Sequence, residues 1–427
     1  MPPIYSIAVI GLGYVGLPLA IGLARVHTVT GFDINNRRLA ELHRGTDSTA
    51  EVAPEDLRTS TLTYTNQLGD ISGKDVYIVT VPTPITDKNE PDLTPLMKAS
   101  ETVGKAIKKG AIVVYESTVY PGVTEDVCAP ILEKFSGLKA GKHFHLGYSP
   151  ERINPGDKVH TVATITKIVA GETPEITDLL ADIYGSINSN NIFKASSIKT
   201  AEAAKVIENA QRDINIAFMN EICMIFTEMG LNTHDVLDAA KSKWNFLPFS
   251  PGLVGGHCIG VDPYYLAHAA KNYGQEPKII LSGREINESM SYFLASKIHD
   301  EISKSTPTPA ARILLLGLTF KENVPDLRNT KIIDLVRHLR QFGHRLEIHD
   351  PLADVNEAKD LYDLDIHVHL EQLQGFDAVI GAVPHAGYKN FTSASFEKLL
   401  TPNGVILDIK RIWSSQVASS KMRYWSI

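Results

Sequence analysis

Short continuous apolar runs alternate along this chain with longer amphipathic stretches, the rhythm of strands buried on both faces and of helices laid over them. The runs Ile4–Ile10, Val29–Phe32, Asp75–Val81, Ile112–Tyr115 and Phe144–Tyr148 predict parallel strands, and each stops at a turn or a polar group. Those ends are Gly11, Asp33, Pro82-Thr83-Pro84, Glu116-Ser117-Thr118 and Ser149-Pro150-Glu151-Arg152. Because open α/β sheets bind ligands outside the carboxyl ends of their strands, these ends are expected to line one rim.

From about Thr200 to Met229 the period changes. Apolar residues at Ile207, Ala210, Ile214, Phe218, Ile222, Ile225 and Met229 follow a helical spacing and predict one long helix. At about 1.5 Å per residue it would span roughly 45 Å, enough to bridge two domains and to present a homodimer face. Beyond a Thr- and Pro-containing linker at 304–309, the runs Arg312–Leu316, Leu346–His349 and Asp377–Val383 repeat the opening order of glycine turn (Gly317), acid (Asp350) and Val-Pro (383–384). The predicted fold class is α/β, two Rossmann-like doubly wound parallel-sheet domains joined by a long central helix, with sections at 1–198, 199–304 and 305–427.

Composition narrows the functional classes. The 427 residues are 43% hydrophobic and 21% charged, enough for several buried cores, and the net charge is -7. No basic surplus is available to neutralise a phosphate backbone, so no nucleic-acid partner is expected. Three cysteines, at 128, 223 and 258, make no disulfide framework and fit a reducing cytoplasm. Met1-Pro2-Pro3 runs straight into a predicted strand, and no apolar run approaches the roughly 20 residues that span a bilayer, so neither a signal peptide nor a membrane partner is expected. The pairs His143/His145 and His367/His369 have strand spacing but no third ligand nearby, and no metal site is predicted.

Gly11-Leu12-Gly13-Tyr14-Val15-Gly16 stands between a predicted strand and a predicted helix, and Asp33 follows about 20 residues later, the context a dinucleotide fingerprint requires. The glycines permit a tight turn and close approach of a pyrophosphate to the helix N-terminus, whose amides favour an anion. Asp33 would take ribose hydroxyls and repel a 2′-phosphate, so the expected cofactor is NAD rather than NADP.

A second chemical stretch is Gly255-Gly256-His257-Cys258-Ile259-Gly260-Val261-Asp262-Pro263. Two glycines let another segment or a substrate reach the backbone, which makes Cys258 a candidate nucleophile and Asp262 its candidate partner. The same residues also suit a small buried thiol and a helix cap before Pro263. Lys205 and Asn209, four apart on the long helix, suit a solvated face unless they point at the cysteine loop. Lys321 and Arg328 offer cations for a diphosphate or a sugar.

The tracts Gly11 to Pro18, Val81-Pro82-Thr83-Pro84, Glu116-Ser117-Thr118-Val119, Gly255-Gly256-His257-Cys258 and Phe320-Lys321 together resemble the motifs of the UDP-glucose/GDP-mannose dehydrogenase family of nucleotide-sugar 6-dehydrogenases, over about Ile4 to Trp413. The resemblance implies an NAD-binding first domain, a central dimerisation domain with the cysteine loop, and a last domain that binds the UDP-sugar. By position, Cys258 becomes the nucleophile and Lys205, Asn209 and Asp262 its assistants, while Thr118 and Glu151 handle water. NAD contacts are implied for Gly11, Gly13, Tyr14, Val15, Gly16, Asp33, Arg38, Pro82, Thr83, Ser117, Thr118 and Arg328. Substrate contacts are implied for Glu151, Arg152, Lys205, Asn209, Asn245, Phe249, Gly252, Gly255, Phe320 and Lys321.

The implied chemistry takes a primary alcohol to a carboxylate in two hydride removals, with the aldehyde held on the thiol as a thiohemiacetal and then hydrolysed from a thioester. A lysine cation would favour the thiolate, and Lys205 with Asn209 would stabilise a developing oxyanion. Ala210-Gln211-Arg212-Asp213 and Trp244-Asn245-Phe246 depart from the UDP-glucose pattern, and Ser149 to Gly156 resembles the branch acting on UDP-N-acetylhexosamines, including enzymes of capsule, Vi-antigen and O-antigen synthesis. The expected substrate is UDP-N-acetylglucosamine or UDP-N-acetylgalactosamine. The alternatives are UDP-glucose or UDP-N-acetylmannosamine as substrate, a single-step NAD-dependent hydroxyacid dehydrogenase, or a non-catalytic NAD-binding scaffold.

Overall fold

The computed structural model describes residues 3–153, 157, 159–256, 259–305 and 310–427. The chain packs into two units, one formed by Met1–Asn209 with Val261–Glu276 and one by Ala210–Gly260 with Pro277–Ile427.

The first unit is built on eight strands, β1 (Ser6–Ile10), β2 (Thr28–Phe32), β3 (Thr63–Thr65), β4 (Val76–Val79), β5 (Ile112–Tyr115), β6 (His145–Tyr148), β7 (Lys167–Gly171) and β8 (Ile192–Lys194). Their order is β3-β2-β1-β4-β5-β6-β7-β8, parallel except where β7 runs against β6. Why the runs are continuously apolar is visible in the core. Ile7, Val9, Ile78 and Val114 pack on one face of the sheet, while their strand neighbours Ala8, Tyr77, Val79 and Val113 pack on the other, so both pleat directions need apolar side chains. The five predicted strands are all present. β3 at one edge and β7 and β8 at the other extend the sheet beyond them, and the antiparallel step at β7 departs from the purely parallel expectation. Lys167, a charge at the head of β7, masks that short strand in the sequence.

The second unit holds β9 (Arg312–Leu316), β10 (Arg345–His349), β11 (Phe376–Gly381), β12 (Leu400–Asp408) and β13 (Arg423–Trp425) in the all-parallel order β10-β9-β11-β12-β13. The predicted long helix is Ile198–Glu228, 31 residues, and it contributes to both units. Along its apolar stripe Ala210 is buried, whereas Ile207, Phe218, Ile225 and Met229 stand exposed. Cys223 is buried in a core cluster with Met290 and Leu294. Among the described residues no helix is long and apolar enough to cross a membrane.

Candidate functional site

The glycine loop of the first unit is shaped by contacts that leave no choice of residue. Gly11 has φ +98°, and a Cβ on Gly16 would lie 1.9 Å from the Gly11 carbonyl oxygen and 2.4 Å from Thr80 Oγ1, so the helix Gly16–Ala24 can seat against β1 and β4 only with glycine there. Gly13, by contrast, is exposed, and a Cβ on it would meet nothing within 4 Å. Tyr14 and Val15 follow it half-buried, and the helix has no side-chain cap, which leaves its N-terminus suited to an anion. The half-buried Asp33 accepts the Leu12 amide at 2.9 Å and the Asn35 amide at 2.8 Å. An open glycine backbone, an uncapped helix end and a carboxylate at the end of β2 fit a dinucleotide. Arg38 serves the loop from beneath: it is buried, its Nε donates to the Leu12 carbonyl at 2.7 Å, and its charge pairs with Glu41 and, at 2.8 Å, with Asp47.

The strand ends gather around this loop within the same unit. Ser117 Oγ donates to the Val81 carbonyl at 2.6 Å and ties the end of β5 to that of β4; Thr118 is half-buried beside it. Pro82 is exposed and Thr83 half-buried, in a turn held by the Tyr265 hydroxyl on the Pro84 carbonyl at 3.0 Å. Past β6, Glu151 accepts the Ile153 amide, while Arg152 is paired with Glu208 of the long helix at 2.9 Å and donates to the Thr166 carbonyl.

The solvated alternative for Lys205 and Asn209 is wrong: both are buried. Asn209 Nδ2 donates to Asp262 Oδ2 at 2.5 Å. Asp262 is the first residue of the helix Asp262–Asn272, whose cap position is Val261, so its carboxylate is turned to Asn209 rather than used as a cap. Burial pushes the Asp262 carboxyl up to about 6, against the opposing charge of Lys205 and the Asn209 bond. One turn before Lys205, the buried Glu202 accepts the Gly122 amide at 2.5 Å and the Thr124 amide at 2.9 Å, and burial raises it to about 7. Glu202 was missed, although it precedes Lys205 by three positions and Asn209 by seven and so shares their helical face.

In the second unit the glycine pair before the cysteine is packed tightly. A Cβ on Gly255 would meet the Asn329 carbonyl at 2.7 Å, and one on Gly256 (φ +84°) would meet the Phe320 ring at 2.7 Å. Gly255, Phe320 and Lys321 line a cavity of about 110 Å³ together with Lys331 and Lys410. Arg212, Phe249, Gly252 and Lys410 line a neighbouring cleft of about 230 Å³. Lys410 bridges the two and donates to the Pro251 carbonyl at 3.0 Å; burial lowers its ammonium pKa. It too was missed, and its position just past the apolar run Val405–Ile409 is the signal that marks the other strand ends. Asn245 is exposed and lines neither cavity. Arg328 forms a two-pronged pair with Asp326 at 3.0 and 2.8 Å. Of the departures at 210–213, Asp213 is fully buried, paired with Arg284 at 2.7 Å and bonded by Asn287, so it joins helices rather than lining either cavity. His257 and Cys258 lie outside the described residues. Among the described residues no group of three or more His, Cys, Asp or Glu is placed to hold a metal.

Comparison with known proteins covers nearly the whole chain. Residues 5–188 match the NAD binding domain, 199–289 the central domain and 314–415 the UDP binding domain of the UDP-glucose/GDP-mannose dehydrogenase family. The chain is 51% identical to Protein CapL of Staphylococcus aureus, over 99% of each chain. It is 52% identical to UDP-N-acetyl-D-glucosamine 6-dehydrogenase of Pseudomonas aeruginosa, over 95% of this chain and 96% of that one. The solved UDP-D-ManNAc dehydrogenase of Pyrococcus horikoshii superposes with a TM-score of 0.88 at 30% identity, covering 99% of each chain. With its open glycine loop in an NAD-binding domain and matches in all three sections, the chain belongs to the UDP-glucose/GDP-mannose dehydrogenase family and is an NAD-dependent nucleotide-sugar dehydrogenase.

Proposed function

We propose that this chain oxidises the C6 alcohol of UDP-N-acetylglucosamine to the uronic acid, through a thiohemiacetal and a thioester on Cys258. The chemistry is carried by one observation, the buried Asn209–Asp262 pair with Lys205 a turn away on the same helix. Such groups have no reason to be out of water for stability alone, since a lone buried charge is costly and apolar residues would pack as well. Lys205 and Asn209 supply the donors for the oxyanion, and Asp262, held near neutrality in its titration, moves protons between alcohol and solvent. NAD, when bound, accepts a hydride in each of the two oxidations. Glu151 and Thr118 orient the water that cleaves the thioester. Lys321, Lys331 and Lys410 offer cations to the sugar nucleotide.

The choice of sugar is supported by the name of the Pseudomonas aeruginosa relative. A homodimer is supported by the exposed Ile207, Phe218, Ile225 and Met229, an apolar stripe of the kind that marks an interface; light scattering should show the purified chain as a dimer and Ile225→Glu as a monomer. A cytoplasmic location is supported by the low cysteine content and the burial of Cys128 and Cys223. The decisive assay counts NADH per sugar. Two per UDP-N-acetylglucosamine are expected, with kcat/KM above that for UDP-glucose by about ten- to a hundredfold. One NADH per turnover would favour the single-step enzyme, and better turnover of UDP-N-acetylgalactosamine would reassign the sugar.

A further inference from the structure

Beneath the rim that carries Glu151, the first unit buries a lysine between two glutamates. Lys167, at the head of β7, is 3% exposed and Glu116, just past β5, is 0% exposed. The lysine Nζ lies 2.6 Å from Glu116 Oε2, 3.8 Å from Glu151 Oε2 and 3.3 Å from the Pro150 carbonyl. The other oxygen of Glu116 accepts the Tyr184 hydroxyl at 2.6 Å. A salt bridge alone would not need this place, because a buried pair is weak evidence of stabilisation. What distinguishes it is the count: one cation faces two carboxylates, and only the second, Glu151, reaches the rim.

We propose that Lys167 is a positioning residue for Glu151, whose carboxylate it faces at the rim, and that Glu116 sets how much of the lysine's charge Glu151 receives. The inference rests on the reading of Glu151 as the water-handling glutamate. In that step a water oxygen bonds to the thioester carbon as its proton passes to Glu151; the carbon–sulfur bond then breaks, the sugar carboxyl forms, and Cys258 leaves as thiolate. A glutamate accepts that proton only when ionised, and an ammonium about 4 Å away favours the ionised form. Among the described residues, Arg152, the chain neighbour of Glu151, is engaged by Glu208, and Tyr184 bonds Glu116.

The two neighbours therefore act with opposite sign, which a merely structural role would not do. Thioester decay is read by rapid-quench intact-mass spectrometry across pH in the full-length protein with NAD and UDP-N-acetylglucosamine. Lys167→Met should move the acid limb of that profile up by about one pH unit, slowing decay about tenfold on the limb with KM nearly unchanged. Glu116→Gln should move the limb down, and the double variant should return it toward the wild type. If Lys167→Met alone fails to fold, the double variant, which buries no charge, is compared with Glu116→Gln and should again shift upward. A limb that stays fixed, or moves the same way in both single variants, overturns the proposal. Glu151→Gln separates the two layers: an accumulating adduct supports Glu151 as base, whereas normal decay would overturn that reading itself.

Discussion

The two sheets of this chain open in the same way and end in different chemistry. In each, a glycine with positive φ follows the first strand, Gly11 at +98° and Gly317 at +94°, and its amide donates to the last carbonyl of the second strand, Phe32 or His349. In each, the acid that ends the second strand accepts the amide after the glycine, Asp33 from Leu12 and Asp350 from Leu318. There the likeness stops. Asp33 is half-buried with two amide donors, whereas Asp350 is fully buried and is also bonded by the Thr319, Leu352 and Ala353 amides and by His385 at 3.1 Å. Where the first loop has Gly16, the second has Glu322. The acid is in both cases a clamp on the turn, and only in the first loop do the protein's own side chains leave it half-buried.

The comparison can be broken most forcefully at the two acids. Asp350→Ala leaves three buried amides, the more exposed Leu352 amide and a buried histidine without their partner, at about 1–3 kcal/mol for an unsatisfied buried group, and should lower the melting temperature by about 10 °C. Asp33→Ala should cost under about 1 kcal/mol because water can replace the lost acceptor, while the preference for NAD over NADP collapses. Equal melting losses in the two variants would refute the distinction. A smaller effect is expected within the first loop. Gly16→Ala must push apart the Gly11 carbonyl and Thr80 and should destabilise by about 1–3 kcal/mol, whereas Gly13→Ala should leave the melt within about 0.5 kcal/mol and weaken NAD in calorimetric titration. If Gly13→Ala binds NAD as the wild type does, the open backbone is not the pyrophosphate's approach.

The gentlest test is pH. Asp262, raised by burial to about 6 from the usual 3.8, binds its proton more readily folded than unfolded, so its contribution to stability is full below about 4 and is lost as pH rises through 6. Asp350 has the opposite sign: burial pushes it up, but His385 and the loop amides hold it at about 2, so its contribution is present above 3.8 and lost as pH falls toward 2. Urea melts between pH 5 and 6 should therefore diverge between wild type and Asp262→Asn, and Asp350 should add almost no slope in that window.

The strand ends, the long helix and the repeated glycine–acid order were legible because buried parallel strands leave continuous apolar runs and because turns need particular residues. What the sequence could not reveal depends on partners far along the chain. The saturation of Asp350 hangs on His385, 35 residues later, and the buried Asn209 finds its partner in Asp262, more than fifty residues away, whose carboxyl also feels the charge of Lys205. Helical spacing alone could not distinguish their face from a solvated one. Nor could it separate Arg212, which lines a cleft, from its neighbour Asp213, which closes a core network, since adjacent helical positions point about 100° apart.

The glycines at 255 and 256 also bear on how such enzymes can be recombined. Each is shaped to a surface more than sixty residues downstream, Gly255 to the backbone of Asn329–Lys331 and Gly256 to the ring of Phe320. A chimaera that grafts the last domain of a relative onto this chain would replace both counterfaces at once while keeping the cysteine segment. Grafts that carry Gly255–Gly256 together with 320 and 329–331 keep lock and key in one cassette, and a crossover placed between them at 305–309 asks two separately evolved surfaces to meet at a spacing that leaves no room for a methyl group.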